Sequence, residues 1–328
     1  MARVQTRAEA VRVTAPARLH IGFLDLNGDL GRRFGSIGLA VDRPAATVRI
    51  RRAEVPSVSG AEVMRAHRYL KAACDALGLP MRHELVVAGT IPPHAGFGSG
   101  TQLALAIGAA VARLEGLPFE AGAMAARLDR GARSGIGVAA FETGGFVLDG
   151  GKGPGDRPPP IVARLPYPED WRIVLVLDEA VDGVHGEAET AAFRALPRFP
   201  AEDAAHLCRV VLMRMLPALA DRDLAAFGAA VSEVQARLGD HFAPAQGGGR
   251  FTSARVGAAC RALEAAGAAG IGQSSWGPTG FALFGSEAEA ERAVAGLAVN
   301  DRTPDGLYFV VARGRNHGAR IEAEPDGG

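Results

Sequence analysis

Pro92-Pro93-His94-Ala95-Gly96-Phe97-Gly98-Ser99-Gly100-Thr101 is the stretch on which the reading of this chain turns. Gly96, Gly98 and Gly100 fall within five positions, more glycine than a tight, capped strand-to-helix turn needs. Residues 83–87 before it alternate with the period of a strand, and residues 102–114 after it are alanine-rich over a helical length. A strand, a glycine cluster and then a helix form the context in which free backbone N–H groups and the positive end of the helix dipole bind an anion. Ser99 or Thr101 can cap the helix, and Gln102 is placed to project beside a bound phosphate. The loop does not end in Gly-Lys-Ser/Thr and does not open a dinucleotide-binding unit, which argues against both of those readings. The expected phosphate-binding set is Gly96, Gly98, Ser99, Gly100, Thr101 and Gln102.

Upstream of the loop, residues 11–23 and 45–52 read as strands, and residues 61–77 as a helix stopped by Gly78-Leu79-Pro80. Downstream, a helix over 120–128 starts behind Pro118, and strands over 146–148 and 161–165 flank a glycine- and proline-rich turn at 150–160. A strand over 171–177 opens a second set, with helices over 201–220, 224–238 and 254–266. A glycine-rich turn from Gly270 then leads into a strand over 280–284, a helix over 287–297 and a strand over 307–312. The pattern predicts an α+β protein of two domains, 1–168 and 169–328, divided near Pro168.

Lys plus Arg and Asp plus Glu both total 36, so no bulk field draws the chain to nucleic acid or an anionic membrane. Residues 1–14 lack the apolar segment of a secretory signal. The greasiest stretch, 103–114, carries Arg113 and falls short of the roughly 20 residues a bilayer span takes. Cys74, Cys208 and Cys260 are odd in number, far apart and without metal-ligand spacing. These features predict a cytoplasmic enzyme of small molecules, with no nucleic-acid or membrane partner.

Ala15-Pro16-Ala17-Arg18-Leu19-His20-Ile21-Gly22-Phe23-Leu24-Asp25, residues 92–101 and residues 272–284 resemble the three ordered motifs of the GHMP superfamily, which includes galactokinase, homoserine kinase and mevalonate kinase. The resemblance spans nearly the whole chain. It implies a two-domain GHMP-kinase-like fold, with the phosphate loop in the first domain and the C-terminal glycine turn closing the site from the second. Two departures stand out. Where many of those kinases read Ser-Gly-Ile/Val-Asp, whose carboxylate is the catalytic base, this chain reads Ser134-Gly135-Ile136-Gly137. Where their loop has two adjacent serines, Gly100 follows Ser99 and leaves Thr101 as the nearest substitute hydroxyl. The phosphoryl-transfer machinery is incomplete.

A narrower resemblance accommodates both departures. Residues 18–25, Arg133 to Gly137 with Phe141 and Gly144-Gly145-Phe146, and Gly183-Val184-His185-Gly186-Glu187 are similar to the β-ribofuranosylaminobenzene 5′-phosphate synthase family. So are Leu216-Pro217-Ala218-Leu219, Phe227-Gly228 and Gln246-Gly247-Gly248. The resemblance implies condensation of phosphoribosyl pyrophosphate with 4-aminobenzoate, or a close 4-substituted benzoate, with release of CO2 and pyrophosphate. It places that reaction on the route to a methanopterin-type one-carbon carrier, and implies Mg2+ as cofactor and a homodimer. Such chemistry needs no strong base: it asks the protein to position two anions, stabilise a leaving diphosphate and shield a sugar cation from water.

Arg18 and His20 stand two apart in a strand, hence on one face, where they can clamp a phosphate or carboxylate. Arg133 is a second anion clamp or a solvated helix-end arginine. These three are the expected catalytic residues. Ser134, Gly135, Gln273, Ser274, Ser275 and Trp276 are the expected substrate contacts, and Trp276 either stacks on an aromatic ring or fills the domain seam. His185 and Glu187 read as a glycine-bounded loop after a strand. Asp25 and Glu142 can hold Mg2+, but no spacing singles either out, so the metal ligands stay open. Two rival readings are an ATP-dependent GHMP kinase with an unrecognised base and a non-catalytic phosphometabolite-binding protein.

Overall fold

The structure is a computed structural model that describes residues 8–155, 157–183, 186–299 and 306–324. Two long antiparallel strands, β1 (Ala10–Asp25) and β2 (Phe34–Arg52), form its spine. Alternation of Val11, Val13, Ala15, Ala17 and Leu19 puts one face of β1 fully into the core. Around this pair, β3 (Ser57–Gly60), β4 (His83–Gly89), β5 (Phe146–Asp149), β6 (Ile161–Leu165) and β11 (Arg320–Glu324) complete a seven-stranded sheet ordered β11-β1-β2-β4-β3, with β5 and β6 branching from β2. The register of β1 on β2 shifts between Pro16 and Ala17 and again between His20 and Gly22. Such bulges re-aim side chains, and they bracket Arg18 and His20.

The helices α1 (Val63–Leu77), α2 (Ser99–Glu115), α3 (Ala121–Arg127) and α4 (Ile136–Glu142) pack with this sheet. Residues Gln102 to Ala112 of α2 are all buried, as an alanine-rich helix that is apolar on every side must be. The second sheet is antiparallel, ordered β10-β7-β9-β8 from β7 (Arg172–Asp178), β8 (Gly270–Gln273), β9 (Gly280–Phe284) and β10 (Leu307–Arg313). The later helices are α5 (Gly186–Ala195), α6 (Ala201–Val210), α7 (Leu216–Ala220), α8 (Leu224–Phe242), α9 (Ala254–Ala265) and α10 (Glu287–Val299); α8, α9 and α10 pack on this sheet, whereas α6 and α7 meet β1 and β6 of the first. A π-helical turn, Val211–Met215, joins α6 to α7 ahead of Pro217, which lacks a backbone donor.

The division near Pro168 falls between β6 and β7, and the last strand, β11, returns to the first sheet. The sequence pattern places most elements within a few residues but misses others. Residues 34–44 of β2, the short β3, α4, α5 and β11 carry no period that marks them. The glycines of β8 (Gly270–Gln273) make the sequence read there as a turn, but the segment is a strand. Those glycines serve packing: a Cβ on Gly270 would lie 2.3 Å from Gly228 O, where α8 crosses the strand.

Candidate active site

The glycine loop is built differently from its expected form. Helix α2 begins at Ser99, so Ser99, Gly100 and Thr101 are its first turn, and Gly98, at φ 71, occupies the N-cap. No side chain caps the helix, which corrects the expectation for Ser99 and Thr101. The Thr101 and Gln102 amides turn back to Gly98 O at 3.1 and 3.2 Å, leaving the amides of Ser99 and Gly100 as free donors of the helix start. Gly96, at φ 82, is irreplaceable on space as well: a Cβ there would sit 2.2 Å from Ser274 O. Phe97 is buried beneath the loop and anchors it.

The edge of β1 is shared. Its first five residues pair with β11, and beyond them the loop and a C-terminal turn take over. Arg18 N donates to Phe97 O at 3.1 Å, and Ser275 N donates to His20 O at 3.1 Å. Ser274 Oγ accepts from His20 N at 2.9 Å and donates to Gly96 O at 2.7 Å, so one hydroxyl ties β1, the loop and the C-terminal turn together. Between these segments lies a cleft of about 450 Å³.

Arg18 lies across the loop: its Nη1 donates to Gly96 O at 3.2 Å, and a Cβ on Gly98 would come within 3.3 Å of the guanidinium. Burial pushes its pKa down to about 10, opposed by Glu189 and Asp149, and its Nε is buried without an acceptor. His20 is buried, and desolvation, with Arg18 next, holds its pKa well below the usual imidazole value, so the ring is neutral at pH 7. Arg133 bonds to Glu189 of α5 and lies over the Phe193 ring at 5.3 Å, which makes it a matched charge on the cleft wall.

One wall is aromatic. Phe23 and Trp276 line the cleft; Phe23 meets His20 in a tilted pair with centroids 4.4 Å apart, and Trp276 meets Phe193 and Phe242 at 5.1 and 4.6 Å. Trp276 therefore fills the aromatic core while lining the cleft, and its buried Nε1 has no acceptor.

Arg18, His20, Gly96, Gly98, Ser99, Gly100, Thr101, Arg133, Ser134, Ser275 and Trp276 converge on the cleft from four stretches of chain. Four expected residues do not line it. Because α2 starts early, Gln102 points inward and its Nε2 donates to Gly137 O at 2.7 Å. The Gly135 amide bonds to the buried carboxylate of Asp149 at 2.9 Å, which also accepts from Ser134 Oγ and from the Ser36 and Gly151 amides. Gln273 is buried against Gln246 and the Thr252 amide, and Ser274 is the hydroxyl tie described above. These are supports of the site.

Asp25 caps its own turn, accepting from the Asn27 and Gly28 amides, and Glu142 is exposed beside Glu120; neither lines the cleft. Glu187 sits in the first turn of α5 rather than in a loop, and His185 lies outside the described residues. Sequence reasoning missed Phe23, Asp129, Arg130 and Glu189, all of which line the cleft. Arg130 was findable, three residues before Arg133 at a helix break. Glu189 was not, since its position depends on α5 folding back over the site.

The family model described as GHMP kinases N terminal domain matches residues 62–145, and that described as GHMP kinases C terminal matches residues 215–300. L. major mevalonate kinase in complex with R-mevalonate superposes with a TM-score of 0.72 at 14% identity, covering 97% of this chain and 100% of that one. Homoserine kinase from Cytophaga hutchinsonii gives 0.70 at 20%, covering 98% and 100%. These share the fold. In sequence, the chain is 32% identical to β-ribofuranosylphenol 5′-phosphate synthase of Methanothermobacter thermautotrophicus, over 94% of this chain and 97% of that protein. It is 34% identical to the protein of the same name from Archaeoglobus fulgidus, over 95% and 99%. At such identity over nearly the full length of both partners, the chain belongs to the β-ribofuranosylphenol 5′-phosphate synthase family, on the GHMP kinase fold.

Proposed function

We infer that the protein is a decarboxylating phosphoribosyltransferase, joining the anomeric carbon of phosphoribosyl pyrophosphate to a 4-substituted benzoate in the biosynthesis of a methanopterin-type cofactor. The observation that carries this reading is a single cleft in which a helix-start anion loop and two arginines with unpaired Nε atoms face an aromatic wall. The relatives' names give the product as a ribofuranosylphenol, which points to 4-hydroxybenzoate as acceptor. The 4-aminobenzoate that the sequence resemblance put first would give the amine.

Loss of diphosphate carries the C–O electron pair onto the leaving group and leaves positive charge on the sugar. Arg18 and the Ser99 amide stabilise the departing oxygens. A neutral His20 adds no repulsion against the sugar cation. The carboxyl-bearing ring carbon bonds to the anomeric carbon; its bond to CO2 then breaks, and that electron pair restores aromaticity. No proton leaves the reacting carbon, so no general base is required there.

Among the described residues, no group of three or more His, Cys, Asp or Glu could hold a metal. The hydroxyls of Ser99 and Thr101 and the carboxylate of Asp129 line the cleft and would be the oxygen ligands offered to Mg2+. Mg2+ there would supply charge neutralisation on the diphosphate. A homodimer is carried over from the family resemblance, and a cytoplasmic setting from the cysteine usage; no helix among the described residues is long and apolar enough to cross a membrane. The kinase alternative wants a carboxylate at 137, where a Cβ would face Thr101 at 3.3 Å, but the residue is glycine and Glu142 points elsewhere.

The test supplies phosphoribosyl pyrophosphate, Mg2+ and carboxyl-labelled 4-hydroxybenzoate or 4-aminobenzoate. Labelled CO2 released in step with pyrophosphate is the expected result. ADP formation from ATP and an alcohol acceptor, without CO2, would replace this reading by the kinase.

A further inference from the structure

We propose that Arg130, held by Tyr69, is a second anion subsite that takes the 5′-phosphate of the sugar donor, while Arg18 serves the diphosphate. The proposal rests on the phosphoribosyl reading above and assigns the donor's direction in the cleft. Three arginines line the cleft. Arg133 is matched by Glu189, whereas Arg18 and Arg130 each bury an Nε with no acceptor. An unsatisfied buried donor on a cation is costly, and an anionic ligand relieves it. Two such clamps suit a donor with two anionic ends.

The loop gives the two clamps opposite places. At its start, Gly96 is crossed by Ser274 O, one residue from Ser275 and two from Trp276, and Arg18 bonds to the same Gly96 carbonyl. At its end, a Cβ on Gly100 would come within 3.2 Å of Tyr69 Oη and 3.6 Å of Arg130 Nη1. Arg130 lies over the Tyr69 ring at 5.4 Å, and its Nη2 donates to Tyr69 Oη at 2.8 Å, fixing the guanidinium against the first turn of α2. Glycine at 100, the second departure from the kinase loop, leaves room for this pair.

Chemistry then sets the direction. The reacting carbon must meet the aromatic acceptor, whose wall of His20, Phe23 and Trp276 adjoins the Gly96 end. The diphosphate leaves from that carbon, so it belongs with Arg18. The 5′-phosphate is on the far side of the ribose and reaches Arg130.

The experiment measures binding of ribose 5-phosphate and of pyrophosphate separately by titration calorimetry, at fixed Mg2+, so that turnover plays no part. Arg130→Met is expected to weaken ribose 5-phosphate by about tenfold or more while leaving pyrophosphate within about twofold. Arg18→Met is expected to do the reverse. Tyr69→Phe, which removes only the hydroxyl that orients Arg130, gives a smaller loss confined to ribose 5-phosphate and serves if Arg130→Met misfolds. Equal losses for both ligands, or the opposite pairing, overturn the assignment while leaving the phosphoribosyl reading intact. A wild-type protein that binds ribose 5-phosphate no better than inorganic phosphate, with no CO2 in the labelled assay, removes that reading itself.

Discussion

Replacing Arg18 by methionine separates what this residue does for substrate from what it costs the fold. A guanidinium held by burial at about 10, well below the ordinary arginine value, is disfavoured in its charged form by roughly 3 kcal/mol. Methionine keeps much of the stem's volume and removes the charge. It also removes the 3.2 Å bond to Gly96 O, worth about 1 kcal/mol, although that carbonyl retains Ser274 Oγ at 2.7 Å. The balance is a variant more stable by about 1–2 kcal/mol, seen as a Tm higher by a few degrees. Both pKa values lie far above neutrality, so this gain is flat from pH 6 to 8; the wild type recovers it only as pH rises through about 10 and the folded-state cation is lost. Against the gain, donor binding loses charge-assisted bonds worth about 2–3 kcal/mol, or roughly 30- to 150-fold in kcat/KM for phosphoribosyl pyrophosphate. Scanning calorimetry and steady-state kinetics at saturating acceptor read the two effects. A Tm that falls by more than about 5 °C with kcat/KM unchanged would refute the reasoning and make Arg18 a structural residue.

Gly96→Ala forces a left-handed residue against Ser274 O, and we expect a loss of about 3 kcal/mol or more in urea denaturation; an unshifted midpoint would show that the loop can move aside. Ser99→Asp sets a carboxylate at the helix start and should abolish pyrophosphate binding, so retained affinity counts against the anion loop. His20 is neutral when folded but protonates in the unfolded chain below about pH 6.5, so wild-type stability should fall with pH below that point, by at most about 1.4 kcal/mol per pH unit. His20→Gln should lose that part of the slope, and superimposable pH profiles would disprove it. With ATP and homoserine, mevalonate or galactose as acceptor, no useful ADP formation is expected, because general-base help of about 10²–10⁴-fold is missing at Gly137. Brisk acceptor-dependent turnover would contradict this.

Much of the site was legible because its parts are local. Gly96, Gly98 and Gly100 announce an anion loop by composition, and Arg18 with His20 share a face by strand alternation. What stayed hidden depends on where elements begin and on which elements meet. Gln102 points inward only because α2 starts at Ser99, and Ser274 is a tie only because its turn abuts Gly96. Arg130 becomes prominent only when its Nε is found buried beside Tyr69, which lies on α1. Asp149 reads as the end of a short strand, yet its four accepted hydrogen bonds organise the turn that carries Ser134 and Gly135.

The pairing of β1 with β11 bears on how the protein is made. Arg12 and Glu324 bond at 2.7 Å although 312 residues separate them, and among the described residues Ala10 to Thr14 have no other strand partner on that side. During synthesis this edge of the first strand stays open until residues 320–324 leave the ribosome. Contacts so distant in sequence form late and slow the search for the native state. Meanwhile an unpaired strand carrying Val11 and Val13 is a template for another chain. Yield of active protein should therefore depend on chaperone supply and temperature during expression, and a chain stopped short of Arg320 should aggregate even though every residue lining its cleft has been made.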